Sequence, residues 1–522
     1  MRAESSGGYL GGSRNAAFLL AAALLGAAVG CHSTRHPSLT DGGPMPPDDA
    51  SVDAEGDAGD VGVGSDGGTE IDGGPGPSGV FLVRSPRATI SVQGVTSDGY
   101  AIYLDSASNT LHAVAIAAGA EPVTIATVDA TVVVAVQGEA ALFWTQVDSS
   151  GIGALAAWTK ANGVHALSTA SLTGATAIAG TSDGADIVYF DAASGAAGLT
   201  SIAVASSATG DKTTLVSGVS LTNPGCAPNV AYAGAFAIAA YCLAEADAGP
   251  GATVVSYRGA TWTPTTLATG ALATSLVTNS RGTSVLVTTP DGLVVYPLAG
   301  GPGTSLDPAG SMGLFTSDGA RVVYTTTTDA LKVSPVGAPL PVTLVPTGLE
   351  GVVSLSPDNA WALGYAAQNP QNVMLSDLYL ASATTPGVAT TLSATSTAIV
   401  LGSGFTADAS HALYTTSYDL NVGTLHAAPT AGGGPPTVLG AKVFFDYPTS
   451  GAKVVFNANW APNAANGVAD LEAVDTSRGV EPAILVGGAD AQFYVSADAT
   501  KIVYSWSFTP GVSSGLWVLP AP

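Results

Sequence analysis

The stretch that decides the fold is Ser182-Asp183-Gly184-Ala185-Asp186-Ile187-Val188-Tyr189. An Asp side chain in a tight turn accepts from a backbone amide, and Gly takes positive φ at no steric cost. The apolar triplet Ile187-Val188-Tyr189 has no polar alternate, so the strand it forms is buried on both faces. A strand of that kind needs neighbours on either side.

The neighbours are copies of the same unit. Ser97-Asp98-Gly99 precedes Ala101-Ile102-Tyr103, and Ser317-Asp318-Gly319 precedes Val322-Val323-Tyr324. Looser copies stand at Asp358-Asn359 with Trp361, Asp408-Ala409 with Tyr414, and Asp498-Ala499 with Tyr504. Degenerate ones stand at Gln137-Gly138 (then Leu142-Phe143-Trp144), Arg281-Gly282 (then Val285-Leu286-Val287) and Ser450-Gly451 (then Phe456). A tenth is placed by spacing at Pro228-Asn229 with Phe236-Ala237-Ile238. The steps between turns average about 44 residues, the length of a four-stranded propeller blade. After each triplet come an alternating strand, such as Leu111–Ile116, and a Thr/Val-rich strand, such as Pro122–Ala126. No long 3.6-period stretch with caps follows residue 79.

The turn and triplet resemble the TolB-type propeller repeat, whose consensus is roughly Ser-Pro-Asp-Gly, two residues, then Ile-Ala-Phe. The resemblance covers about residues 95–515 and implies a fold rather than a function. Thr-Ser or Ala usually stands here in place of Ser-Pro, and Leu142-Phe143-Trp144-Thr145 leans toward the YWTD-type repeat. The expected fold is therefore all-β: a β-propeller of four-stranded blades after a disordered acidic linker. About 8–10 units form one large ring or two smaller rings, against the usual four to eight blades. The longest step, near 229–281, is the expected place for a break between two rings. Gly79–Val83 is expected to supply an outer strand to the last unit and close the ring.

Ahead of the repeats the composition changes twice. Arg2 and Arg14 precede an apolar run, Ala16–Gly30, that ends at Ala28-Val29-Gly30-Cys31. As a helix this run rises only about 22 Å, short of the roughly 30 Å hydrocarbon core, so it reads as an export signal. Its end resembles the bacterial lipobox, with Ala28 where the family prefers Leu. That resemblance implies cleavage before Cys31 and acylation of Cys31. Two or more acyl chains anchor stably where one is marginal. His32 follows, whereas an Asp there implies inner-membrane retention in Gram-negative sorting, so the outer membrane is favoured. From Thr40 to Gly79 ten acids stand without a single Lys or Arg. Such a segment is an extended tether with a reach of about 40 Å. Within it Asp53, Glu55 and Asp57 alternate like calcium ligands, but Ala58 stands where an EF-hand loop needs Gly. The expected organisation is a lipoprotein signal peptide at 1–30, the tether at 31–78 and the propeller at 79–522.

The chain carries 39 acids and 15 bases, a net charge of −24. That excludes a nucleic-acid footprint and polybasic attraction to anionic lipid. No catalytic motif stands in its required context. Gly180-Thr181-Ser182-Asp183-Gly184 fits G-x-S-x-G, but a strand follows where a nucleophile elbow needs a helix. His112, His165 and His426 each fall in the strand after a triplet, where the plain expectation is a half-exposed position; three blades converge on a channel-centred metal site only if all three face inward. Cys226 and Cys242 form an even pair suited to a disulfide in an oxidising compartment. The functional expectation is a non-enzymatic lipoprotein of the cell envelope, anchored in the membrane through Cys31. Its propeller binds an envelope protein or glycan, with no cofactor. The alternative is a propeller enzyme acting on glycans by lyase- or hydrolase-like chemistry in the channel.

Overall fold

The computed structural model describes residues 79–521 apart from 86–88, 130–131, 174–176, 193–198, 222–227, 244–250, 260, 272–275, 367–374, 420–421, 432–433, 444–446, 462–467, 491–492 and 510–512. The signal segment, Cys31, the acidic tether and Cys226 lie outside the described residues. Among the described residues the chain is strands throughout, with one 3-10 turn at Thr476–Arg478.

Among the described residues the strands group as ten four-stranded antiparallel units, numbered blades 1 to 10 in chain order from inner strands that begin at Ile90, Val133, Ile178, Asn229, Val277, Gly310, Gly351, within Ala389–Phe405, at Thr449 and at Phe493. In blade 3 the order from inner to outer is Ile178–Gly180, Asp186–Asp191, Leu199–Ser206 and Lys212–Ser220. Blades 2 and 3 touch through one pairing, Asp191 with Ser171. Blades 7 and 8 share the long strand Ala389–Phe405, outer in one and inner in the other. Blade 10 runs Phe493–Val495, Lys501–Thr509 and Ser513–Pro520, and its outer strand is Val80–Ser85, paired at Phe81↔Trp517 and Val83↔Leu516. The N-terminal strand thus closes the ring, as the repeat count requires.

Ten apolar clusters fill the gaps between blades. In each triplet the first and third residues face the preceding blade and the middle residue faces the next. Ile187 and Tyr189 pack with Leu142 of blade 2, while Val188 packs with Ala237 of blade 4. Tyr324 packs on Leu286 of blade 5 and Val323 on Ala362 of blade 7. The last cluster joins Val503 and Leu516 of blade 10 to Ala101 and Tyr103 of blade 1. Burying each of the Val, Leu and Ile side chains among these contributes about 1.5–3 kcal/mol. Neighbours therefore run in unbroken cyclic order, which makes one ring of ten blades.

This order corrects the expected break near 229–281: Ile238 and Val254 of blade 4 share a core with Val285 and Val287 of blade 5. The blade 4 turn falls at Gly234, not at Asn229, which lies inside the inner strand Asn229–Ala233. Two triplets also shift by one residue. Ala141-Leu142-Phe143 and Ala237-Ile238-Ala239 hold the repeat frame, with Phe143 facing back and Trp144 forward. Trp and Phe at the neighbouring positions disguised the phase in the sequence.

Every outer strand meets its neighbour through a register shift. Bulges bend an edge away from further pairing, and Arg84, Lys212 and Lys442 add charge to three of these outer strands.

Candidate functional site

The place where ten blades converge is the channel, walled by the inner strands. Those strands read, for example, Ile90–Val95 (ISVQGV), Val133–Gln137 (VVAVQ), Asn229–Ala233 (NVAYA), Gly310–Phe315 (GSMGLF) and Phe493–Val495 (FYV). No described inner-strand residue is Asp, Glu, Lys, Arg or His. The wall is built from small, apolar and amide or hydroxyl side chains.

At one mouth stand the turns between inner and second strands. The turn carboxylates are held within their own turns. Thr316 Oγ1 donates to Asp318 Oδ1 at 2.6 Å, and the Ala320 amide donates to the same oxygen at 3.0 Å. Thr96 with Asp98, Ser356 with Asp358 and Ser496 with Asp498 repeat the hydroxyl bond at 2.5, 2.5 and 2.6 Å. The hydroxyl bond first, and the amide bond after it, lower the Asp183, Asp318 and Asp498 carboxyls below the usual range. The anchoring residue is the buried Thr or Ser two places before the Asp. The Ser beside the Asp, the more conspicuous residue in the sequence, is not the one that holds the carboxylate. The recurrence of Thr96, Thr181, Thr316, Ser356, Thr406 and Ser496 was the available signal.

Adjacent turns are hydrogen-bonded into a belt. Ser97 N donates to Gly138 O at 2.8 Å, Glu139 N to Asp183 O at 3.0 Å, and Asp408 N to Gly451 O at 3.1 Å. Ser280 Oγ donates to Ser317 O at 2.6 Å, and Asn359 Nδ2 to Ser317 Oγ at 2.7 Å. The Gly180–Gly184 motif belongs to this belt: a turn and a strand follow it, so Ser182 is a turn residue.

The histidines do not converge. His112 and His426 are repeat equivalents on the third strands of blades 1 and 8, each opposite the motif tyrosine. His112 stacks on Tyr103 and His426 on Tyr414, both at 5.1 Å between ring centroids. Burial lowers the pKa of both imidazoles. His165 lies on the outer strand Gly163–Leu172, not the third strand, and is half-buried. The channel-centred site thus loses its geometry, because equivalent positions are carried apart by rotation around the ring. Among the described residues no group of three or more His, Cys, Asp or Glu is placed to hold a metal ion.

The position opposite the motif aromatic holds the domain's other polar chemistry. Lys332 stands opposite Tyr324, and Glu472 opposite Phe456. Lys332 Nζ lies 2.8 Å from the buried Asp307 of blade 5. Asn459 Nδ2 donates to Asp470 at 3.0 Å and reaches Glu472 at 3.5 Å. Burial, then the Asp470 charge, pushes the Glu472 carboxyl up to about 7. Cys242 is buried at the end of a second strand in blade 4.

No family model and no curated protein matches the chain. Among solved structures, a eukaryotic initiation factor is similar over 68% of this chain and 88% of its own, at 14% identity and a TM-score of 0.44. The C-terminal WD40 domain of Sif2 is similar over 68% and 100%, at 13% and 0.37. TolB from Acinetobacter baumannii is similar over 57% and 61%, at 12% and 0.26. The class rests instead on the ten four-stranded units and their cyclic packing: the chain is a ten-bladed β-propeller.

Proposed function

We propose that this chain is a cell-envelope lipoprotein, anchored through Cys31, whose propeller is a scaffold that binds a protein or glycan partner. The observation that carries the scaffold reading is the inner wall. Ten strands converge on it without a carboxylate, amine, guanidinium or imidazole among their described residues, the groups that acid–base and metal chemistry most often use. The turn carboxylates at its mouth are engaged by their own hydroxyls and amides, so they shape the belt. The anchor reading is supported by the apolar run, the small residues before Cys31 and the acidic segment after it. The outer membrane is favoured by His32.

Two measurements test the halves separately. Cells expressing the full chain should incorporate labelled palmitate, and Cys31→Ser should abolish it; persistent labelling removes the anchor. Elemental analysis of purified chain should find no stoichiometric metal. A stoichiometric transition metal lost in His112→Gln or His426→Gln returns a metal-site reading and counts against a scaffold alone.

A further inference from the structure

We infer that the face of the ring carrying the turns between third and outer strands lies against the lipid surface in which Cys31 is anchored; this rests on the anchor reading above. In every antiparallel blade those turns fall on the same face as the turns between inner and second strands. The exposed large apolar residues are gathered there. Val342, Val388, Val438, Ile484, Phe81, Val123 and Val164 stand at or beside the first residues of outer strands in blades 6 to 10, 1 and 2. Those seven blades are consecutive around the ring. Leu340 and Val480, in the adjoining turns, and Val80 extend the same rim, Leu340 being 72% exposed. Among the described exposed large apolar residues, only Val133 and Leu243 lie at the opposite ends of strands. Scattered apolar residues need no explanation, but a one-sided arc does.

One further feature agrees with lipid as the occupant. The chain enters the ring at Val80, on this face and within the arc, so the segment that leads back to Cys31 attaches where the rim is apolar. Apolar side chains on the face nearest an acyl anchor suit an acyl–headgroup boundary.

The test is amide exchange on the acylated full chain in phosphatidylcholine–phosphatidylglycerol vesicles, compared with the same chain in detergent and with Cys31→Ser in solution. Unpaired outer-strand amides exchange fast, so lipid contact should slow residues 80–83, 121–124 and 480–485 at least fivefold and leave 148–150 and 329 unchanged. Equal rates on both faces, or protection of the opposite face, overturn the proposal even with palmitate labelling intact. Absent labelling overturns the anchor instead. Protection that persists in detergent with a doubled mass by light scattering assigns the rim to a second copy and also overturns it. In the folded variant Phe81→Ser/Leu340→Ser/Ile484→Ser, checked by an unchanged melting curve, the vesicle-dependent slowing should fall to under twofold; slowing that is retained overturns it too.

Discussion

The Tyr324 hydroxyl donates to the Asp307 carboxylate at 3.1 Å, across the boundary between blades 5 and 6. Lys332 Nζ reaches the same oxygen at 2.8 Å, and the Ala309 amide donates to the other at 2.9 Å. The motif aromatic is thus more than filler. Tyr189 and Tyr414 likewise donate to carbonyls of the preceding blade, at Leu167 (2.7 Å) and Leu392 (3.1 Å). Tyr324→Phe removes one bond and keeps the ring, a loss of about 1 kcal/mol. Lys332→Met leaves Asp307 buried without its cation, a loss of about 3–5 kcal/mol. Urea unfolding of the two variants should rank them in that order, and equal losses would deny the ion pair its role.

A second prediction separates glycines by what surrounds them. Gly184 has φ +74°, and a Cβ there meets the Gln137 carbonyl oxygen of the neighbouring turn at 2.2 Å. Gly451 has φ +58° with nothing within 4 Å. Gly451→Ala should cost about 1 kcal/mol, the penalty of left-handed backbone alone. Gly184→Ala should cost clearly more, because two turns of the belt must part. Matching thermal shifts for the two variants would count against the belt as a packed element.

Much of this was legible in the sequence. Length of repeat, strand order and the closing N-terminal strand follow from the spacing of turns and the apolar triplets. What the sequence concealed was phase and partnership. Phe143 and Trp144 are adjacent aromatics, and only packing tells which one faces blade 1. Asn229 looked like a turn residue but lies in an inner strand, with the turn at Gly234. His112 and His426 read as half-exposed strand positions, with convergence on the channel as the lesser alternative, because each sits in an alternating strand. The register that sets both opposite a motif tyrosine is a property of pairing, which spacing along one strand does not encode. Asp307 and Lys332 are 25 residues apart and belong to different blades, so neither suggested the other.

A third prediction concerns the cysteines. We expect peptide mapping without reductant to recover Cys226 linked to Cys242. A bridge closing a loop of this size contributes about 3 kcal/mol. Cys242→Ser should then lower the melting temperature only under oxidising conditions. Two thiols open to alkylation in unfolded, unreduced chain would end the assignment.

The histidine stacks give a fourth. Burial holds the imidazole of His426 below its ordinary pKa, so the folded state binds fewer protons than the unfolded state as pH falls. Stability should be full above the unfolded value of about 6.5 and decline as pH drops through it. Replacing His426 by Gln keeps a partner for Thr416, which lies 2.8 Å from Nε2, and removes the titration. The variant should lose less stability than the parent between pH 7 and pH 5. A parallel decline in both would place the acid sensitivity elsewhere.

The last prediction runs in the opposite direction. Glu472 is nearly buried, shares the Asn459 amide with Asp470, and has its carboxyl raised from 4.5 to about 7. Between those values the folded state binds more protons than the unfolded one. Stability therefore falls as pH rises through that window, by at most about 1.4 kcal/mol per unit for this group. Above pH 7 the folded chain holds two neighbouring charges, one of them poorly hydrated. Glu472→Gln keeps the shape and the hydrogen bond and discards the charge. It should melt at a higher temperature than the parent at pH 8, and the two curves should approach one another by pH 4.5. Differential scanning calorimetry across that range checks the sign. A Gln variant less stable than the parent at pH 8 would mean that the ionised Glu472 has a cation partner the carboxyl pair does not reveal.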